Sequence, residues 1–294
     1  MTAVIDAIEV QVFDTETRSI RDTKGHRHPG PLASAQEALV TIRDSDGAVG
    51  RVLTPTRNVR EDAVAGPLFG ALIGKPVLSV EAVLRDLVIA QRGNPVDLAD
   101  RRIAVVDELL WDLIGQRSGE PVWRLLGGAQ PRIRAYASTM CGDDTPGGLS
   151  TPEEYADYAR TLVAQGYSAI KLHTWFPPLD FAPSVARDIE ACVAVREAVG
   201  DGIDLMLDGF HWYSRSDALK IGRAIQDLDF RWFEEPMDEV SISSYRWLSE
   251  QLEIPVIGPE IISGGICLAV TGYASVPSTF CALGHRTRAD SRQR

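Results

Sequence analysis

Apolar and polar residues alternate along Val4 to Phe13, which predicts a half-buried strand. The alternation returns at Ala38 to Arg43, breaks at Asp44-Ser45-Asp46-Gly47, and resumes at Val49 to Leu53. Two alternating runs around such a turn read as a hairpin. Between the first two strands lies RDTKGHRHPGP, Arg21 to Pro31, rich in Gly, Pro and charge and therefore expected to be a mobile loop. From about Val59 to Gly127 the period becomes helical. Ile103 to Ile114 carries apolar residues on more than one face, and RLLGG, Arg124 to Gly128, ends the region with a glycine stop. Residues 1–130 thus read as an α+β domain.

A different rhythm follows. Short apolar runs alternate with amphipathic ones: strands are predicted at Ile133–Ser138, Ala169–His173, Ile203–Asp208, Arg231–Glu234 and Val256–Glu260. Helices are predicted between them at Thr151–Gln165, Pro183–Val199, Ser216–Leu228 and Ser241–Leu252, the first opening on the capping-box residues Thr151, Pro152 and Glu154. Strict βα alternation implies a parallel sheet, doubly wound or closed as a barrel. Residues 131–265 form this second domain.

Composition narrows the function. Hydrophobic residues make up 45% of the chain and charged residues 24%, an ordinary globular balance. A net charge of -11 argues against nucleic acid as a partner, since phosphate binding needs a basic face. An acidic chain can still take an anionic substrate if a metal ion supplies local positive charge. No apolar run approaches a membrane span, and the N-terminus lacks the basic start and apolar core of a signal peptide. The four scattered cysteines, Cys141, Cys192, Cys267 and Cys281, suit reduced thiols and a cytoplasmic setting.

Three predicted strands end in acids: LMLD at Asp208, RWFE at Glu234 and IGPE at Glu260, spaced 26 residues apart in both intervals. That spacing is about one βα unit, so the three acids are expected at one height on neighbouring strands. Three carboxylates converging there would repel, and a divalent cation resolves this; oxygen-only ligands favour Mg²⁺ or Mn²⁺. Taken singly, each acid is as well read as a helix cap or a solvated charge. The preceding strand places Lys171 and His173 on one face, with Ile170 and Leu172 on the other. Alone, Lys171 is a solvated strand end and His173 a satisfied core histidine; beside the acids, both read as catalytic. A proton α to a carboxylate is too weakly acidic for an unaided base, whereas cation charge on the carboxylate makes its removal feasible. A lysine near that cation is pushed toward the neutral form that accepts a proton.

At this point the chain resembles the mandelate racemase and muconate lactonizing branch of the enolase superfamily. The resemblance rests on AVVDELLWDLIG from Ala104, PVWRLLGG at Pro121–Gly128, KLH at 171–173, LMLDG at 205–209, WFEEP at 232–236 and GPE at 258–260. It implies an α+β capping domain followed by a (β/α) barrel, and Asp208, Glu234 and Glu260 as Mg²⁺ ligands. Lys171-Leu-His173 matches the family's Lys-x-Lys or Lys-x-His base motif. His173 is then the general base and Lys171 its electrostatic partner, or the roles are exchanged. The resemblance also implies substrate contacts from Glu235, from His26 and His28 on a closing loop, and from His211 at the mouth. The plainer readings are a structural Glu235, a solvated loop and packing of His211 and Trp212 beneath a loop.

Two departures qualify the resemblance. Phe210 stands where many relatives have an asparagine. The recognisable units stop at the fifth strand, so the barrel is expected to be incomplete, with about five βα units. The family's Asp and His from strands six and seven have no counterpart. Residues 266–294 form an atypical tail, one Asp and no Glu, with arginines at 286, 288, 292 and 294. A change of reading near Gly265, by truncation or frameshift, is expected; the alternative is a shortened form completed by a partner chain. Open sheet edges favour association, hence a homo-oligomer. The expected activity is Mg²⁺-assisted abstraction of a proton α to a carboxylate, with dehydration of a sugar acid first. The alternatives are an inactive truncated member and a racemase or epimerase of a 2-hydroxy acid; a doubly wound binding protein lacks the glycine-rich phosphate loop.

Overall fold

The computed structural model describes residues 3–21, 27–59, 66–139, 141–144, 148–177, 179–238, 241–258 and 279–280. The chain divides into two compact units, one of Met1–Thr17 with Leu32–Ile133, the other of Arg18–Pro31 with Arg134–Arg294.

The first unit carries a three-stranded sheet of order β1-β2-β3, formed by β1 (Ile5–Arg21), β2 (Arg27–Asp44) and β3 (Val49–Pro55). The expected hairpin joins β2 to β3, with Arg43 opposite Val49. Asp44 makes its turn: Oδ1 accepts from the amides of Asp46 at 3.0 Å and Ala48 at 2.9 Å, and Gly47 takes the positive φ of 89° that a side chain resists. Arg117 closes the turn from outside with ion pairs to Asp44 and Asp46. Of the loop expected over Arg21–Pro31, Arg21 and Arg27–Pro31 lie in strands and residues 22–26 lie outside the described residues. The strands run to Arg21 and resume at Arg27, because antiparallel pairing satisfies backbone groups whatever the side-chain polarity.

Helices α1 (Pro67–Gly70), α2 (Val80–Ala90), α3 (Asp100–Ser118) and α4 (Val122–Leu125) follow. The core of this unit includes Val40, Ile42, Val106, Leu110 and Leu113. Strand β3 approaches α3 so closely that a Cβ on Gly50 would lie 2.6 Å from the Leu113 amide nitrogen and 2.9 Å from the Leu109 carbonyl oxygen. Glycine is required there by space.

The second unit is built on a parallel sheet of order β4-β5-β6-β7-β8-β9. The strands are β4 (Ala137–Ser138), β5 (Ala169–His173), β6 (Asp204–Asp208), β7 (Phe233–Glu234), β8 (Val256–Ile257) and β9 (Thr279–Phe280). Between them lie α5 (Pro152–Ala164), α6 (Val185–Val199), α7 (Arg215–Asp227) and α8 (Ile242–Gln251). The α/β architecture read from the sequence is therefore present, five strands and their four helices in the expected order.

Two details differ. Ile133 to Tyr136, expected as strand, stays outside the ladder and Ile133 is 83% exposed. In the tail, whose other residues lie outside the described ones, Thr279–Phe280 pairs parallel with Val256–Ile257. The cap of α5 also departs from a reciprocal box: Thr151 Oγ1 accepts from the Glu154 amide at 3.2 Å, but the Glu154 carboxylate turns to the Ser150 amide and hydroxyl.

One sheet face meets the helices through Ile170, Leu172, Leu205, Leu207, Phe233 and Val256, all inaccessible to solvent. Alternation turns Lys171, His173, Asp208 and Glu234 to the opposite face. No helix among the described residues is long and apolar enough to cross a membrane.

Candidate active site

Strand register assembles the site. His173 pairs with Asp208, and Asp208 with Glu234, so these three stand at one height on adjacent parallel strands, at their C-terminal ends. The residue in register with Glu234 on β8 is Ile257, three positions before Glu260. The βα unit is shorter here because α7 has 13 residues and α8 has 10. Glu260 itself lies outside the described residues, as does His26; His28 lies in β2, and its side chain is likewise outside them.

Lys171 is the centre of the charge pattern. Its side chain is buried, and Nζ donates to Asp208 Oδ2 at 2.9 Å and Glu234 Oε1 at 2.8 Å. Burial alone would pull the ammonium pKa down, but the Asp208 and Glu234 charges outweigh it and hold the lysine protonated, above its ordinary range. Asp208 moves the opposite way. Its burial favours the neutral acid, yet hydrogen bonding and charge from His173 and Lys171 keep it ionised, below the usual carboxylate range.

His173 is fixed on several sides. Its amide donates to Thr139 Oγ1 at 2.9 Å, its carbonyl accepts from the Tyr155 hydroxyl, and ring Nδ1 lies 2.9 Å from the Thr139 carbonyl oxygen. A carbonyl only accepts, so Nδ1 carries the hydrogen. Nε2 lies 3.0 Å from Asp208 Oδ2, and a carboxylate held ionised only accepts, so here Nε2 presents a hydrogen to it. The Phe210 ring stands edge-on to the imidazole at 6.1 Å and stacks on Phe176 at 5.8 Å, giving this side an apolar wall.

The turns after β6 and β7 are laced together. Gly209 N donates to Glu234 O, His211 N to Glu235 O and Tyr213 N to Pro236 O, at 2.8, 2.7 and 3.1 Å. Gly209 is needed for this approach, since a Cβ would meet Pro236 Cα at 2.8 Å. Phe210, His211 and Glu235 all adopt left-handed φ, at 46°, 69° and 39°. Such backbone costs about 1–3 kcal/mol per residue and persists only where neighbours over-determine it. Glu235 is buried and its Oε2 lies 3.5 Å from His211 Nε2, so the two expected substrate contacts stand side by side.

Asp208 and Glu234 fit a hard divalent cation: two carboxylates on adjacent strands converge on one positive centre, and their donors are oxygen only. Glu260 is the expected third ligand. Among the described residues no group of three His, Cys, Asp or Glu stands together as a metal site. Sequence reasoning missed Thr139, which orients His173 and is visible only through the β4–β5 pairing. It also passed over Trp232, although strand period places it on the face of Glu234.

Residues 154–265 match the family model described as "Enolase C-terminal domain-like". The chain is 49% identical to a D-glucarate dehydratase from Agrobacterium tumefaciens whose crystal structure is complexed with magnesium, with a TM-score of 0.88 over 92% of this chain and 70% of that one. It is 33% identical to 3,6-anhydro-alpha-L-galactonate cycloisomerase of Streptomyces coelicolor, over 70% of this chain and 55% of the relative. It is 26% identical to L-talarate/galactarate dehydratase of Salmonella typhimurium, over 79% and 57%. The chain thus spans just over half the length of these two curated relatives.

Proposed function

The chain belongs to the mandelate racemase and muconate lactonizing family of the enolase superfamily, and from that premise we propose that it dehydrates a sugar acid by removing the proton α to the carboxylate. The observation that carries the reading is the single register of His173, Asp208 and Glu234, with Lys171 joining both acids. The dehydratase names of the Agrobacterium and Salmonella relatives support the reaction class.

When bound by Asp208, Glu234 and Glu260, a divalent cation supplies positive charge against the negative charge that grows on the substrate carboxylate. The chain's own residues do the rest. In its neutral form, with Asp208 turned to the cation, His173 keeps its hydrogen on Nδ1 against the Thr139 carbonyl and takes the C2 proton at Nε2. Lys171, beside both acids, directs its side chain to the substrate carboxylate and offsets the charge that grows there. The C3–O bond breaks, the leaving hydroxide takes the proton that His173 removed from C2 and departs as water, and the enol product tautomerises to a 2-oxo-3-deoxy acid. Phe176 and Phe210 keep water from the imidazole side.

The test is incubation with hexarates and pentonates in D₂O with Mg²⁺, followed by NMR for C2 exchange and by trapping of the 2-oxo product. Expected are water loss with D-glucarate or a related acid, and its disappearance in His173→Ala and with chelator. Exchange without water loss would point to an epimerase. No exchange and no product across the panel would overturn the reading.

A further inference from the structure

Glu234 has two carboxylate oxygens, and they face different neighbours. Oε1 accepts from Lys171 Nζ at 2.8 Å; Oε2 accepts from the indole Nε1 of Trp232 at 3.0 Å. Trp232 and Glu234 are two residues apart, so they share a face of the sheet, while Phe233 between them is buried in the helix-side core. The indole itself is braced. It meets the Tyr136 ring edge-on, with centroids 6.0 Å apart, and the same Tyr136 ring lies 5.7 Å from Lys171 Nζ. An indole N–H donates one hydrogen bond, accepts none and carries no charge. It therefore occupies one oxygen of Glu234 without competing for the charge of the other.

We propose that Trp232 is a positioning residue that confines Glu234 to one-oxygen ligation and so selects Mg²⁺ over Ca²⁺. The inference rests on the reading of Asp208 and Glu234 as cation ligands. Mg²⁺ demands near-octahedral geometry from single oxygens at short distance. Ca²⁺ accepts six to eight oxygens at longer distance and readily takes a carboxylate through both. With Oε2 tied to the indole, Glu234 offers the geometry that suits the smaller ion. Freed of the indole, the carboxylate can turn and present both oxygens.

The experiment is calorimetric titration of Mg²⁺ and Ca²⁺ into the unmodified protein and Trp232→Phe, which keeps a smaller ring against Tyr136 and deletes the N–H. Loss of a hydrogen bond to a metal ligand costs roughly 10–100-fold in affinity. Mg²⁺ affinity in Trp232→Phe is expected to fall by that factor while Ca²⁺ affinity is held or rises, so the Mg²⁺/Ca²⁺ ratio narrows about tenfold or more. A merely structural role would lower metal-free melting and leave the ratio alone; an unchanged ratio overturns the proposal. If the unmodified protein binds neither ion, the cation reading falls and this proposal with it. Should Trp232→Phe not fold, the indole ¹H–¹⁵N resonances of the six tryptophans are read in the unmodified protein. One must shift on addition of Mg²⁺, and six unmoved signals overturn the proposal.

Discussion

Asp188 sits in the first turn of α6 with no solvent exposure, and Oδ2 accepts from the Tyr213 hydroxyl at 3.0 Å. Burial penalises its charged form more than hydrogen bonds from Tyr213 and its other neighbours favour it, and the carboxyl pKa rises from 3.8 to about 6. Replacement by asparagine keeps the shape and the acceptor for Tyr213 and removes the charge. The sign follows from proton binding. Between pH 3.8 and about 6 the folded chain holds a proton that the unfolded chain has released, so this residue's contribution falls as pH rises and is flat above about 6. The gap amounts to about 3 kcal/mol at 1.36 kcal/mol for each decade. Urea unfolding of both proteins from pH 4 to 8 reads it, because effects of other carboxylates cancel in the difference. Asp188→Asn is expected to match the parent near pH 4 and to exceed it by up to about 3 kcal/mol at pH 7.5. A difference independent of pH, or an asparagine variant less stable at pH 7.5 than at pH 4 relative to the parent, would refute the reasoning.

Three further outcomes are expected. Gly50→Ala drives a methyl into the α3 backbone and should cost about 1–3 kcal/mol in chemical denaturation; an unchanged midpoint would show that β3 and α3 separate freely. Mg²⁺ at a hundredfold excess over its Kd should raise stability by about 2.7 kcal/mol, read as an upward melting shift that Asp208→Asn abolishes. A shift that survives in Asp208→Asn would place the ion elsewhere. Lys171→Met leaves two acids facing each other with no cation between them, at a cost of roughly 3–5 kcal/mol in metal-free protein. Added Mg²⁺ should then raise its melting temperature by more than it raises the parent's, and an equal gain would refute the shared role.

The order of elements in the second unit was legible because each βα unit carries a change of hydrophobic period, and Ala169–His173 needed no adjustment at either end. Strand ends were less legible. Ile133 has the apolar side chain of a strand residue, but pairing depends on a neighbour that period does not reveal. Arg21 and Arg27–Pro31 were read as loop for the complementary reason: polar, Gly and Pro residues hide backbone pairing that the side chains do not signal. In the site, the His173–Asp208–Glu234 alignment could be anticipated from strand-end acids, whereas the height of the next strand depended on α8 being three residues shorter than α7. The tie from Nδ1 to Thr139 needed coordinates, since it joins side chain to backbone across two strands.

The left-handed turns at Phe210, His211 and Glu235 bear on how the protein would respond to selection. Glycine at any of them removes the steric penalty of a Cβ, so a screen for heat tolerance in a random library would be drawn to these codons. A screen for turnover would discard the same clones, because Phe210 walls the imidazole and Glu235 and His211 stand together beside it. Variants recovered by the two screens should therefore part company at these three positions, and the divergence would mark from sequence counts alone where the chain has given up stability for the shape of its site.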